Sequence, residues 1–74
     1  MNWINVETNL PEKYKMVLCN CNRYESLMHK DRKFIDFNIP VISWMLDSPF
    51  NCFDIEHKGY FKVTHWMILP EPPM

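Results

Sequence analysis

Residues 15–21 form a short, mostly apolar run between polar segments, a pattern that predicts a β-strand. Val17 and Cys19 fall on one face of this strand, and Leu18 and Asn20 fall on the other. Successive side chains of a strand point to opposite sides of a sheet. We therefore expect this segment to contribute one apolar face to the core.

The last apolar stretch, residues 60–69, carries apolar side chains on both faces. Phe61 and Val63 lie on one face, and Trp66 lies on the other. A half-solvated edge strand alternates more cleanly, so we expect this strand to be the central one. Three of the six prolines fall within the last five residues, and proline donates no ladder hydrogen bond. The strand must therefore stop at Leu69.

The middle of the chain gives a mixed pattern. Tyr24, Leu27 and Met28 have helical spacing, whereas residues 33–37 alternate like a strand. We predict a mainly β fold, a small antiparallel sheet of three to five strands arranged as a meander with long loops. The alternative is an α+β fold with one short helix near residues 23–33.

Proline and glycine mark the turns in the second half of the chain. Residues 47–49, Asp-Ser-Pro, are a strong turn signal, and residues 41–46 before them are β-prone. Residues 51–55 are predicted to form a weaker strand, and the chain should turn again at Gly59. Because the chain has one glycine, tight primed hairpin turns should be rare.

Size and charge limit the possible functions. Seventy-four residues predict a single domain, residues 1–74, at the lower edge of what one core can stabilise. The aromatic fraction of 15% offsets the short chain, because each enclosed ring buries roughly 150–250 Å². The formal charge of −1 gives no general attraction to DNA, RNA or an anionic membrane. Since no basic region is followed by an apolar run at the N-terminus, we expect a cytoplasmic location with reduced cysteines.

The sequence contains no catalytic motif and no phosphate-binding glycine loop, so we predict a protein that is not an enzyme and uses no cofactor. Cys19 and Cys21 share a strand face, but a structural zinc ion takes four ligands, and buried core cysteines are the expectation. By alternation, His65 shares a face with Val63 and Met67. A small-ligand or metal-binding domain centred on His65, Cys19 and Cys21 is the alternative function.

Aromatic side chains are the candidates for a partner surface, because Trp and Tyr concentrate at interface hot spots. We expect most of these aromatic side chains to pack in the core, which leaves one or two of them to contact a partner. An exposed strand edge can also pair with a second copy of the chain, so a homodimer is a further expectation. The candidate partner-binding residues are Trp44, Phe50, Tyr60, His65 and Trp66.

The two ends of the chain resemble one known family. Residues 3–6, Trp-Ile-Asn-Val, and residues 10–12, Leu-Pro-Glu, are similar to its opening. Residues 64–73, Thr-His-Trp-Met-Ile-Leu-Pro-Glu-Pro-Pro, are similar to its ending, with Ile68 where the family usually has a proline. The family is domain of unknown function 551, whose members are small proteins common in bacteriophages and prophages.

The resemblance implies where the protein originates, but the family has no assigned activity that could be transferred to this chain. It implies a phage or prophage accessory protein in the host cytoplasm. Together with the small size, the near-neutral charge and the aromatic richness, it predicts a protein that binds a host protein and has no nucleic-acid or membrane partner. Inhibition of a host defence or regulatory factor is a specialisation suggested by analogy alone.

Overall fold

The protein folds around a four-stranded antiparallel sheet. The computed structural model describes residues 2–25, 33–57 and 59–70. The predicted mainly β fold is confirmed. The elements in chain order are β1 (Ile4–Asn5), β2 (Val17–Tyr24), β3 (Phe34–Ser43), α1 (Asp54–His57) and β4 (Phe61–Ile68).

The strand order across the sheet is β1-β4-β2-β3. The last strand therefore has a neighbour on each side, as its two-sided apolar pattern predicted. The order is not that of the predicted meander, because β4 returns to lie between β1 and β2. Trp66 of β4 pairs with Ile4 on one side and with Cys19 on the other. The beginning and the end of the chain thus meet in the same sheet.

Helix α1 forms in a region where the sequence predicted a weak strand. Glu56 Oε1 accepts a hydrogen bond from the Phe53 N–H at 3.1 Å, and Ser43 Oγ accepts one from the Ile55 N–H at 3.1 Å. These bonds satisfy main-chain donors of the first turn, which have no partner within a helix. Because Ser43 lies in β3, the local pattern of residues 51–55 did not reveal this support.

The alternative of a helix near residues 23–33 is not supported at its start, because Arg23 and Tyr24 belong to β2. Arg23 also forms a salt bridge with Asp36 of β3. The rest of that alternative, residues 26–32, lies outside the described residues. Within the part of the chain that the structure describes, no helix is long and apolar enough to cross a membrane.

The core lies on one face of the sheet, which we call the core face. Met45 and Phe53, from the connection between β3 and β4, cover the strands there. Neither Cys19 nor Cys21 exposes any surface, as expected for core cysteines. The buried cluster consists of Val17, Cys19, Cys21, Met45, Phe53, Val63 and Trp66.

The opposite face, which we call the open face, shows half-buried and exposed side chains apart from Met67, which is buried. A β-bulge decides which residues of β4 lie there. Asn20 pairs with His65, but Cys21 pairs with Val63, so Thr64 is an extra residue in β4. His65 therefore lies beside Asn20 on the open face, whereas Val63 stays on the core face. The expectation that His65 and Val63 share a face is wrong, because simple alternation does not hold across a bulge.

Candidate functional site

Residues 47–51, which we call the Phe50 loop, form a closed turn between β3 and α1. The Leu46 N–H donates to the Cys52 carbonyl oxygen at 2.8 Å and closes the loop at its base. Inside it, the Phe50 N–H donates to the Asp47 carbonyl oxygen at 3.1 Å. The predicted turn at residues 47–49 is confirmed, with turn structure over residues 48–50.

Lys13 ties the two ends of the Phe50 loop together. Its Nζ donates to Asp47 Oδ1 and to Asn51 Oδ1, each at 3.1 Å. Asp47 Oδ1 also accepts the Ser48 N–H at 2.7 Å. The Ser48 hydrogen bond and then the Lys13 ammonium hold the pKa of the Asp47 carboxyl below its ordinary value of 3.8. Hydrogen bonds from Lys13 and within the loop thus connect both loop ends in the free chain.

Phe50 projects from this loop with 53% of its surface exposed. Its ring meets the exposed His57 ring edge-on, with centroids 4.5 Å apart and planes at 69°. This geometry suits the quadrupoles of two aromatic rings. The loop therefore presents an oriented aromatic side chain to solvent, which is the kind of group that anchors a protein interface.

The five candidate partner-binding residues do not form one surface. Phe50 and Tyr60 are exposed, and Trp44 is half-buried. His65 lies on the open face, whereas Phe50 lies in the connection that covers the core face. Trp66 is 7% exposed, and its Nε1 donates to the Asn9 carbonyl oxygen at 2.9 Å, so a surface role for Trp66 is wrong.

The structure does not bring the alternative ligand set together either. Cys19 and Cys21 lie on the core face, and His65 lies on the open face. Burial raises the pKa of Cys19 to about 12 and the pKa of Cys21 to about 11, with Glu56 as a further cause for both. A metal binds the thiolate form, which these surroundings disfavour. Among the described residues, no group of three His, Cys, Asp or Glu side chains is placed to hold a metal ion.

A second candidate site is a depression of about 380 Å³ on the open face, lined by Trp3, Asn20, Asn38 and His65. Asn20 Nδ2 donates to Asn38 Oδ1 at 3.1 Å and to Thr64 Oγ1 at 2.9 Å. His65 Nδ1 lies 3.0 Å from the same hydroxyl oxygen. The depression thus has a hydrogen-bonded floor that runs across β3, β2 and β4.

Sequence reasoning missed three of the four residues that line this depression. Polar Asn20 inside an apolar strand was a usable signal, because its side chain faces away from the cysteines. Asn38 has φ 57°, a conformation that asparagine tolerates better than most residues. Asn38 lies at a second β-bulge, between β2 and β3, where the two residues Phe37 and Asn38 lie opposite the single residue Asn22. Such a placement has no signature in residue type alone.

The fold and these two surfaces define a class of protein, a small open antiparallel sheet with one face covered by its own chain. The chain belongs to the family described as protein of unknown function (DUF551), whose model matches residues 2–74. It is 39% identical over 75 residues to the "Uncharacterized 7.8 kDa protein in ral-gp17 intergenic region" of Salmonella phage P22, covering 99% of this chain and 97% of that protein. No solved structure gives a significant match. The relative supports a phage origin for the chain.

Proposed function

We propose that this chain is a non-enzymatic phage accessory protein that binds a host protein in the host cytoplasm. Its family and its similarity to a phage P22 protein support the phage setting. The observation that carries the proposal is the exposed Phe50 ring on a loop whose ends Lys13 holds together. The partner supplies an apolar pocket for this ring.

The fixed shape of the Phe50 loop favours binding. A flexible loop loses conformational freedom when it binds, and this loss weakens the affinity. Here the hydrogen bonds from Lys13 and within the loop order it in the free protein. Lys13 and Asp47 form an exposed ion pair at one end of the loop, and we expect these charged groups to lie in the polar rim of the interface. A central aromatic group inside a polar rim is the common arrangement of a protein interface.

Inhibition of a host defence or regulatory factor is the specialisation that we attach to this binding activity. A small protein without a catalytic site of its own acts by occupying a surface that its target needs. Once the captured partner is identified, assays of its activity will show whether binding inhibits it or has another effect.

The test is capture of the tagged protein's partner from bacterial host lysate, followed by calorimetry with the purified partner. Phe50→Ala should weaken binding by about 30-fold or more, the effect of losing a hot-spot side chain. Phe37→Ala is the matched control, because Phe37 is a 61% exposed phenylalanine in β3, away from the loop. Absence of a stoichiometric partner, or equal affinity of the Phe50→Ala and wild-type proteins, would contradict the proposal.

A further inference from the structure

The hydroxyl group of Thr64 fixes the orientation of the side chains around the open-face depression. A hydroxyl has one proton to donate, and we assign that of Thr64 to the Asn20 main-chain oxygen, which lies 3.1 Å from Oγ1 and can only accept. Thr64 Oγ1 must therefore act as acceptor toward its other two partners. It accepts from Asn20 Nδ2 at 2.9 Å and from His65 Nδ1 at 3.0 Å.

This assignment fixes which atoms remain available for a ligand. Both protons of Asn20 Nδ2 are used, one by Thr64 and one by Asn38 Oδ1. Asn20 Oδ1 and Asn38 Nδ2 make no hydrogen bond to any of the described residues. With this assignment neutral His65 carries its proton on Nδ1, and Nε2 is an acceptor. The depression thus offers one amide donor beside an amide acceptor and a ring acceptor.

The remaining features of the depression concern shape and charge. Trp3 is 44% exposed and supplies an indole ring at its edge. The volume of about 380 Å³ falls in the usual range for small-molecule sites. No lysine or arginine is among the described residues that line it. Lys62 lines a neighbouring depression, which it shares with Glu7. These features favour a flat, uncharged ligand over an anion.

We propose that this depression binds the base of a neutral nucleoside whose exocyclic amino group lies next to a ring nitrogen, as in adenine and cytosine. The amino group donates to Asn20 Oδ1, and the ring nitrogen accepts from Asn38 Nδ2. The amide of one Asn or Gln makes the same pair of bonds to adenine in protein–DNA complexes, and here two asparagines supply the two groups. The base stacks on the Trp3 ring, a contact that all bases can make. Because the ligand carries no phosphate, the absence of a basic patch in the sequence does not oppose its binding.

The proposal is tested by titrating the isotope-labelled full chain with adenosine, cytidine and N6,N6-dimethyladenosine and following the Trp3 indole and Asn38 amide NMR signals. Adenosine and cytidine should give saturable shifts, and N6,N6-dimethyladenosine should bind about tenfold more weakly or less, because its amino group has no proton to donate to Asn20 Oδ1. Adenosine monophosphate should bind no more tightly than adenosine. Equal binding of all three nucleosides, no saturable binding of adenosine and cytidine, or much tighter binding of the monophosphate would overturn the proposal.

Variants connect the binding to the named atoms. Asn38→Asp replaces the donor by an acceptor and should weaken adenosine binding about tenfold or more. Asn22→Asp is the matched control, since it adds the same charge nearby and keeps the Oδ1 that accepts from the Asn38 N–H. Trp3→Ala provides a second test, with a similar loss from stacking. Unchanged adenosine affinity in a folded Asn38→Asp or Trp3→Ala protein would refute the site. Phe50→Ala should leave adenosine binding intact, so this site and the host-protein surface are tested separately.

Discussion

The Glu56 carboxylate joins helix α1 to strand β4, because its Oε2 accepts a hydrogen bond from the Val63 N–H at 3.1 Å. Its other oxygen accepts from the Phe53 N–H at 3.1 Å. Val63 is the last core residue before the bulge at Thr64, where the ladder between β2 and β4 shifts. One half-buried side chain therefore holds the helix and the irregular part of the sheet together.

Glu56→Ala should lower the free energy of unfolding by about 2–3 kcal/mol, because two main-chain donors lose a charged acceptor. Glu56→Gln should cost less, since its amide oxygen can still accept one of the two bonds. Urea denaturation at neutral pH measures both. Glu12→Ala is the control, as Glu12 is exposed. Equal stability of the Glu56→Ala and Glu12→Ala proteins would show that the bridge contributes nothing.

The buried cysteines should make the protein sensitive to alkaline pH. The pKa values of Cys19 and Cys21 are raised from the ordinary 9.0 to about 12 and about 11, mainly by burial. Above pH 9 the unfolded chain loses these protons while the folded protein keeps them. The contribution of the two thiols to the free energy of unfolding should therefore be constant below about pH 9 and then fall, by up to about 1.4 kcal/mol per pH unit for each thiol.

Cys21→Ala tests this alkaline loss. The variant removes one of the two buried thiols, so its free energy of unfolding should fall less steeply than that of the wild type between about pH 9 and pH 11. Its stability at neutral pH is measured separately, because the smaller side chain also leaves a cavity. If the two slopes are equal, ionisation of Cys21 in the unfolded chain does not contribute to the pH dependence.

The positions of β2 and β4 were predictable from sequence because each strand is a local run of apolar residues. Residues 15–21 and 60–69 were predicted as strands, and β2 and β4 cover most of them. Strand order depends on which distant segments pair, and nothing near Ile4 indicates that its partner is Trp66. The sequence also predicted that β4 is internal, because its apolar residues occupy both faces. Local pattern therefore gave the elements, and long-range pairing determined their arrangement.

For the candidate sites too, local sequence predicted some features, and long-range packing determined the others. Phe50 was identified by residue type beside a strong turn signal, and the turn formed as expected. Trp66 was chosen on type alone and proved to be buried, since a large apolar ring serves a core as well as an interface. The homodimer stays a prediction. Among the described strands β3 lies at an edge of the sheet, and Pro40 within it is a residue that limits strand pairing.

Lys13 should control the order of the Phe50 loop more than the stability of the whole protein. Lys13→Met removes both hydrogen bonds to the loop ends and keeps the aliphatic stem. We expect faster amide hydrogen exchange at Phe50 and Asn51 and little change in the urea midpoint, because the ion pair is solvent-exposed. Lys15→Met is the control, since Lys15 is exposed and forms no salt bridge within the described residues. Unchanged exchange in Lys13→Met would mean that the loop is ordered by its own turn alone.

Thr64 should determine the tautomer of His65. The Thr64 hydroxyl donates to the Asn20 main-chain oxygen, so it accepts from His65 Nδ1 and holds the proton on that nitrogen. Thr64→Val keeps the shape and removes the hydroxyl, and the ring nitrogen shifts of neutral His65 should then move toward the Nε2–H form. Thr64→Ser keeps the hydroxyl and should retain the Nδ1–H form. Nitrogen-15 NMR at alkaline pH distinguishes the two tautomers. If Thr64→Val leaves the Nδ1–H form unchanged, the hydroxyl does not orient His65, and the donor and acceptor pattern assigned to the open face fails with it.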